Sequence, residues 1–323
     1  MARKNTKKGY DVITVGSATI DCFINLPTDF KNIKHGSKIV IKDIHLLTGG
    51  GGTNVGVGLS RLGLKTGFIG EVGEDHSAHL IKKDLEHEGV DFIVKQHSRH
   101  LTAYSVILES KGQDRSILVY RGASDYLQPD EIDKKKLKTG WFYFGSAMDA
   151  SMKTMDYLAN HARKNSINVY FNPSSYMVKL GQKALSRILA ATKIIAMNKE
   201  EAQMLLKNRS GDVKKLLKEM QDLGPEICII TDGKRGVDAY DGIDFYSLKA
   251  HEVTAVDTTG AGDAFGTGFL AGIIMKKNLD RKKRIGFAMK LGIVNSESVI
   301  RYVGTKKGLL SKRQALADMK KLY

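Results

Sequence analysis

Two glycine-rich segments in this 323-residue chain carry the residue types most able to do chemistry. The first is Thr48-Gly49-Gly50-Gly51-Gly52-Thr53-Asn54. Four consecutive glycines contribute nothing to a core. They remove side chains so that backbone can turn sharply or approach a ligand. Val55, Leu59 and Leu62 then fall on one helical face, so the run feeds a helix N-terminus. The plain alternative is a flexible loop. No Gly-Lys-Ser/Thr closes the run, which excludes a Walker A loop.

The second segment is Val256-Asp257-Thr258-Thr259-Gly260-Ala261-Gly262-Asp263-Ala264-Phe265-Gly266. Polar turn residues lead into a helix whose apolar face carries Phe265, Phe269 and Ile273. That arrangement leaves the N–H groups of Gly260 to Asp263 unpaired at a helix N-terminus, a natural seat for phosphate. An aspartate in the first turn is favoured by the helix dipole, which keeps it ionised. A carboxylate beside an anion hole suits removal of a proton from an attacking hydroxyl. Alone, Asp263 would read as a helix-start residue. Gly266, Gly268 and Gly272 inside the helix argue for more, since each costs about 1 kcal/mol against alanine and so marks a close approach. Gly260-Ala261-Gly262 also opens a dinucleotide fingerprint, but Phe265 stands where the third glycine belongs and the segment lies late in the chain. An NAD enzyme is disfavoured.

The elements that must hold these segments alternate. Short apolar runs at residues 12–15, 68–69, 141–144, 169–171, 194–197 and 227–231 read as strands buried on both faces. Helical patterns such as 152–164 and 200–206 lie between them, which predicts an α/β fold with a largely parallel sheet. Residues 104–109 alternate apolar and polar, 110–115 supply a polar turn with Gly112, and 117–120 resume as a strand: a β-hairpin. A second extended stretch, 38–44, precedes the glycine run, so a small β-element projects from the α/β core. Polar or glycine signals follow the strands at 16–21, 172–173, 198 and 231–233. In open α/β sheets ligands bind at the carboxyl ends of the strands, so one rim carries the chemistry.

Composition sets the outer limits. At 42% hydrophobic and 27% charged, with four prolines, the chain is an ordinary globular one. Lys+Arg 51 against Asp+Glu 35 gives +16, which attracts anions of any kind. The plain reading is a lysine-rich solvated surface. The lysines sit on helical stretches such as 212–218 and 276–284 without the interleaved aromatics that base stacking wants, so nucleic acid is disfavoured as a partner. Cys22 and Cys228 make no disulfide framework, which fits a reducing compartment. The basic start is followed by no apolar stretch of the kind a secretory signal needs, and the apolar run at 268–275 is too short to span a bilayer. The expectation is a cytoplasmic protein with a basic tail at residues 1–9.

Four motifs together resemble one family. Residues 257–270, DTTGAGDAFGTGFL, are similar to the C-terminal signature of the ribokinase-like (PfkB) kinases of sugars and nucleosides. Residues 49–54, GGGGTN, are similar to its GG-x-x-x-N motif, and residues 198–201, NKEE, to its N-x-x-E motif. Residues 16–26, GSATIDCFINL, resemble its opening strand and sugar-binding aspartate. They occur in the family's order and span nearly the whole chain.

The resemblance implies a three-layer α/β fold with a central, mostly parallel sheet. It also implies a single domain over 10–323, with a small β-sheet lid formed by roughly 22–45 and 98–124. It implies transfer of the γ-phosphoryl group of ATP to a hydroxyl of a sugar or nucleoside. Asp263 would be the base, and Gly260, Ala261 and Gly262 would supply the anion hole. Asp21 would accept hydrogen bonds from two substrate hydroxyls, with Gly50, Gly51 and Asn54 completing the substrate site. Asn198 and Glu201 would hold Mg²⁺ and its waters near the phosphates. Thr231, Gly233 and Gly236, in TDGKRG, would line the nucleotide. Asp257 and Thr259 match part of a monovalent-cation site, which brings in K⁺. A homodimer through the lid is a further expectation. Two departures fall on the substrate side: Gly51 replaces a longer residue, and Ser124 stands where asparagine is common. The +16 charge motivates a competing reading, a catalytically silent homologue that binds a ligand or nucleic acid. Asp263, the anion-hole glycines, Asn198 and Glu201 oppose it together.

Overall fold

A computed structural model describes residues 9–28, 32–41, 43–95, 98–109 and 115–323. The basic tail, apart from Gly9, and residues 110–114 of the turn expected at 110–115 lie outside the described residues. The chain begins with β1 (Tyr10–Val15), β2 (Thr19–Asn25) and β3 (Asp43–Gly49), then α1 (Gly51–Arg61) and β4 (Thr66–Ile69). Next come α2 (His76–His87), β5 (Val90–Phe92), β6 (Ala103–Glu109) and β7 (Arg115–Tyr120). The middle of the chain holds β8 (Thr139–Phe144), α3 (Asp149–Lys164), β9 (Asn168–Phe171), α4 (Ser175–Lys179) and α5 (Gly181–Leu189). It continues through β10 (Ile194–Asn198), α6 (Lys199–Leu206), α7 (Val213–Gln221) and β11 (Ile227–Thr231). The last part holds β12 (Val237–Tyr240), β13 (Phe245–Leu248), α8 (Ala261–Met275), α9 (Arg281–Val299) and α10 (Lys312–Leu322).

The larger sheet has nine strands in the order β13-β12-β11-β10-β9-β8-β1-β4-β5. Every pairing from β11 to β5 is parallel. Strand side chains alternate between faces, and each face has its own core. Ile13, Phe142, Phe171, Ile195 and Ile230 pack under Leu158 of α3, Ile188 of α5, Leu205 of α6 and Leu216 of α7. Val12, Tyr143, Tyr170, Ala196 and Ile229 pack under Leu59 of α1, Phe269 of α8, Leu291 of α9 and Met319 of α10. This is the expected three-layer α/β architecture.

A separate four-stranded sheet has the order β3-β2-β6-β7. Its β6–β7 pair is the expected antiparallel hairpin. One row across it runs Leu47, Asp21, Ser105, Val119, four residues in register on one face.

Three details depart from the sequence reading. The stretch at 38–44 is not extended throughout: residues 38–41 form no strand, and β3 starts only at Asp43, where pairing with β2 begins. The helical stretch at 276–284 is broken, because α8 stops at Met275 and Asp280 caps a new helix by accepting from the Lys283 N–H at 3.0 Å. The antiparallel β12–β13 pair at one edge was not foreseen. It turns through Asp241, whose carboxylate accepts from the N–H groups of Ile243 and Asp244. Cys22 and Cys228 are both free and buried, and among the described residues no helix is long and apolar enough to cross a membrane.

Candidate active site

The glycine run is held tightly. Gly50 caps α1 with φ +96°, a conformation that leaves other residues strained, and a β-carbon there would lie 2.5 Å from the Ser17 carbonyl oxygen. The Gly51 N–H donates to the Ser17 hydroxyl at 3.2 Å and the Gly52 N–H to the Ser17 carbonyl at 3.1 Å. The residues after β1 thus fix the start of α1, and the flexible-loop alternative fails. Helix α1 begins inside the run, at Gly51, so Asn54 sits in its first turn.

Asn54 reaches the other motif. Its Nδ2 donates to Oδ2 of Asp263 at 3.0 Å, across 209 residues of sequence. Gly51 faces the same carboxylate, with a β-carbon position 3.4 Å from Oδ1. The missing side chain at Gly51, a departure from the family pattern, leaves room directly beside Asp263.

Helix α8 starts from Gly260, at φ +78°. The Ala261 N–H does not stay unpaired as expected; it folds back to the Thr258 carbonyl at 3.3 Å because the preceding turn is tight. Gly262 is exposed, and nothing lies within 4 Å of where its β-carbon would be. The N–H groups of Gly262 and Asp263 are therefore the ones this helix start leaves to meet an anion. The helix dipole does not decide the state of Asp263 as the sequence reading supposed. Burial pushes its carboxyl above the ordinary carboxylate range, the Asn54 amide pulls it down, and the charge of Asp21 pushes it up again.

The helix glycines have structural reasons. Gly266 lets α8 lie against the rings of Tyr143 and Tyr170, while Gly268 and Gly272 let it meet the backbone of α9. The close approach inferred from sequence is real, and it serves packing.

Asp21 lies within β2, not in a turn after β1. Its Oδ1 accepts from the Thr19 hydroxyl at 3.0 Å, and its Oδ2 occupies the space a Gly49 side chain would need. Burial raises its carboxyl, against the lowering effect of hydrogen bonds from Ser105 and Thr19 and of the Lys306 charge. The charge of Asp21 reaches Asp263 and raises its carboxyl further. Ser124 is not free to meet a ligand: its hydroxyl donates to the Ala18 carbonyl at 3.3 Å. Asp257 is buried; its Oδ1 accepts from the Thr259 N–H and hydroxyl at 2.9 and 2.7 Å, and its Oδ2 from the Gly304 N–H at 3.2 Å. The two residues matched to a cation site are thus engaged in folding their own loop.

Asn198 and Thr231 are register partners at the carboxyl ends of β10 and β11. Asn198 and Glu201 form a capping box on α6: Oδ1 of Asn198 accepts from the Glu201 N–H at 2.8 Å, and Oε2 of Glu201 from the Asn198 N–H at 3.1 Å. The other Glu201 oxygen accepts from the Ser175 hydroxyl at 2.7 Å. Each oxygen keeps a further lone pair, so this hard oxygen set fits a hydrated Mg²⁺ better than a directly bound one. Gly233 opens a short turn with open space around it. Gly236, at φ +99°, is pressed against the Leu248 carbonyl and is needed by the β12–β13 pair itself. The structure thus gathers Asp21, Gly50, Gly51, Asn54, Asp257 and Gly260–Asp263 in one cluster. Asn198, Glu201, Thr231 and Gly233 form a second, farther along the same rim, with β9 and β8 between.

Sequence reading missed Asp84, Thr305 and Lys306, and gave Thr48 no role of its own. Lys306 is buried, and its ammonium donates to Asp84 at 2.8 Å and to the Thr48 hydroxyl at 3.0 Å. Its charge also reaches Asp21. One lysine among 51 basic residues carries no linear signal of such a place.

A family model described as pfkB family carbohydrate kinase matches residues 10–297. The chain is 32% identical over 258 residues to an uncharacterized sugar kinase of Archaeoglobus fulgidus, covering 78% of this chain and 98% of that one. It is 28% identical over 279 residues to the ribokinase of Haemophilus influenzae, covering 85% and 89%. The structure superposes on Arabidopsis thaliana ribokinase complexed with ribose and ATP with a TM-score of 0.82, at 19% identity over 97% of this chain and 99% of that one.

Proposed function

The chain belongs to the pfkB family of carbohydrate kinases, and we propose on that footing that it transfers the γ-phosphoryl group of ATP to a hydroxyl of a sugar or nucleoside. The observation that carries the reading is the contact of Asn54 with Asp263, which brings the N-terminal glycine motif to the base and the anion site. Asp21 holds the acceptor through hydroxyl hydrogen bonds, its two oxygens suiting two neighbouring hydroxyls. Asp263 takes the proton as the acceptor oxygen bonds to the γ-phosphorus and the bond to the β-phosphate oxygen breaks. Burial raises this carboxyl, which strengthens its hold on the proton it takes. The N–H groups at the start of α8 meet the charge on the transferred group. When bound, Mg²⁺ shields the phosphate charge, and Glu201 and Asn198 hold it through water. Thr231 and Gly233 line the nucleotide, and a K⁺ beside the anion site would draw on the lone pairs that Asp257 and Thr259 keep beyond the bonds of their own loop. The four-stranded sheet acts as the lid, its exposed strand residues Leu46 and Leu118 supplying a surface for a second copy. The free buried cysteines fit a cytoplasmic setting.

The test is ATP consumption with D-ribose, fructose 6-phosphate, ribose 1-phosphate and adenosine as acceptors. At least one should be turned over, and Asp263→Asn should lower kcat about 100- to 10,000-fold while nucleotide still binds. Wild-type kcat in that variant would remove Asp263 as the base. ATP binding without turnover of any acceptor would favour the silent homologue.

A further inference from the structure

Residues 304–309, just after α9, reach Asp257, Asn54, Gly260, Thr48 and Asp84 around the substrate end of the site. The Gly304 N–H donates to Asp257 and the Lys306 ammonium to Thr48 and Asp84. Arg61 of α1 clamps the segment from behind. One of its terminal nitrogens donates to the carbonyls of Lys306 at 2.7 Å and Leu309 at 3.1 Å, while its other nitrogens grip Glu88. Between these anchors stands Thr305, 6% exposed beside Asn54 at 3%. The Thr305 hydroxyl donates to Oδ1 of Asn54 at 2.8 Å. Its methyl lies against Gly260, where a β-carbon would come within 2.9 Å of it.

We propose that Thr305 is a positioning residue that holds the Asn54 amide with its NH₂ toward Asp263, a role that rests on Asp263 being the base. An amide is nearly symmetric in shape, so packing cannot choose between its two orientations; its hydrogen-bond partners must. In the observed orientation every group is matched. The hydroxyl hydrogen meets Oδ1, and Nδ2 meets a carboxylate oxygen, which accepts only. Turned over, the amide would set oxygen against oxygen at Asp263 and leave the buried hydroxyl hydrogen with no acceptor from Asn54. Without the hydroxyl, Oδ1 would be buried with no donor, and the amide would be drawn away from its present place. The donor to Asp263 would go with it. The other groups facing Asp263 with a charge or a titrating proton are Asp21 from β2, a carboxylate that only accepts, and Tyr143 from β8, whose hydroxyl donates to Oδ1 of Asn172 at 3.2 Å. The charge of Lys306 reaches Asp21, not the base. Thr305 thus links the N-cap of α8, through its methyl, to the residue that steadies the base, through its hydroxyl.

The test uses Thr305→Val, which keeps the shape and removes the hydroxyl, and Thr305→Ser, which keeps the hydroxyl. Carboxyl-¹³C aspartate labelling, with the Asp263 resonance assigned by its loss in Asp263→Asn, reads the base without any substrate. In Thr305→Val that resonance should titrate at higher pH than in the wild type, and in Thr305→Ser at the wild-type position. With the best acceptor of the panel above, Thr305→Val should lose about ten- to a hundredfold in kcat, with KM for ATP nearly unchanged. The acid limb of its kcat–pH profile should move up with the resonance, and Thr305→Ser should recover most of the loss. A wild-type titration and kcat in folded Thr305→Val would overturn the proposal. So would a serine variant as impaired as the valine one, which would leave only the methyl contact with Gly260. Should the valine variant not fold, Thr305→Ala gives the same two readouts. Retained turnover in Asp263→Asn would instead overturn the base assignment, whatever Thr305 does.

Discussion

Asp263 is pulled two ways: its site withdraws water from the carboxylate, and Asn54 returns only one hydrogen bond. A carboxyl whose folded pKa is raised binds its proton more tightly folded than unfolded. It therefore lowers stability progressively as pH rises from the unfolded value, about 4, through the folded one. Asparagine keeps an oxygen for the Asn54 amide and carries no charge. Asp263→Asn should thus melt at nearly the wild-type temperature below about pH 4 and at a higher one at pH 8. Calorimetric scans at the two pH values check this, and a variant less stable at pH 8 would contradict the burial argument. Asp263 and Asp21 could be read from sequence because each stands in a motif of unusual residue types. Thr305 and Lys306 could not. Threonine and lysine are common, and what distinguishes these two is a neighbour 251 or 222 positions away. The role of Asn54 was half legible: its place beside the glycines was plain, its hydrogen bond to Asp263 was not.

Helix α8 separates two uses of glycine that look alike in a sequence. Gly268 faces the Leu291 carbonyl oxygen, with a β-carbon position only 2.5 Å from it, and backbone cannot give way there. Gly268→Ala should cost about 1–3 kcal/mol while the folded fraction keeps its kcat. Gly262 meets nothing, so alanine there should leave the melting temperature unchanged or raise it, by up to about 1 kcal/mol of helix propensity, and yet block the anion site. Thermal melts and kcat on both variants check the pair; equal loss of activity with equal stability would merge the two roles. Helix α6 allows a similar separation. Glutamine can also close a capping box, so Glu201→Gln should keep the melting temperature while raising the Mg²⁺ concentration needed for half-maximal rate. No change in that Mg²⁺ dependence would reduce Glu201 to a cap. Strands with continuous apolar runs, such as β10 and β11, were legible because burial on both faces leaves a strong pattern. The four-residue strands β12 and β13 were not, since β13 buries neither face well. The break after Met275 escaped notice because lysines suit helix and turn alike; only Asp280 marks it.

At the scale of the molecule, two sheets of different character meet over the site. The larger is buried on both faces except at its β13 edge, whereas the smaller leaves Ile44, Leu46, Leu47, Ile117, Leu118 and Val119 exposed on its outer strands β3 and β7. Apolar strand residues left in water suit a cover that docks on a bound acceptor. Amides of β3 and β7 should therefore exchange hydrogen faster than those of β1 and β8 in the free protein, and slow when ATP analogue and acceptor are added together. Unchanged exchange on adding both would speak against closure. The three-layer core and the projecting β-element were legible in the alternation of runs, but the extent of the smaller sheet was not, because the start of β3 depends on pairing with β2 rather than on its own sequence. The hydrogen bonds that join Asn54 to Asp263 and to Thr305 also span most of the chain's length. During synthesis, the first strands leave the ribosome long before either partner does. On the proposed mechanism, a nascent chain that has built most of its parallel sheet has no base beside Asn54, and would stay inert toward ATP and its acceptor until the final helices have been translated. The order of translation would then act as a safety catch, one that would also silence a copy cut short before residue 305.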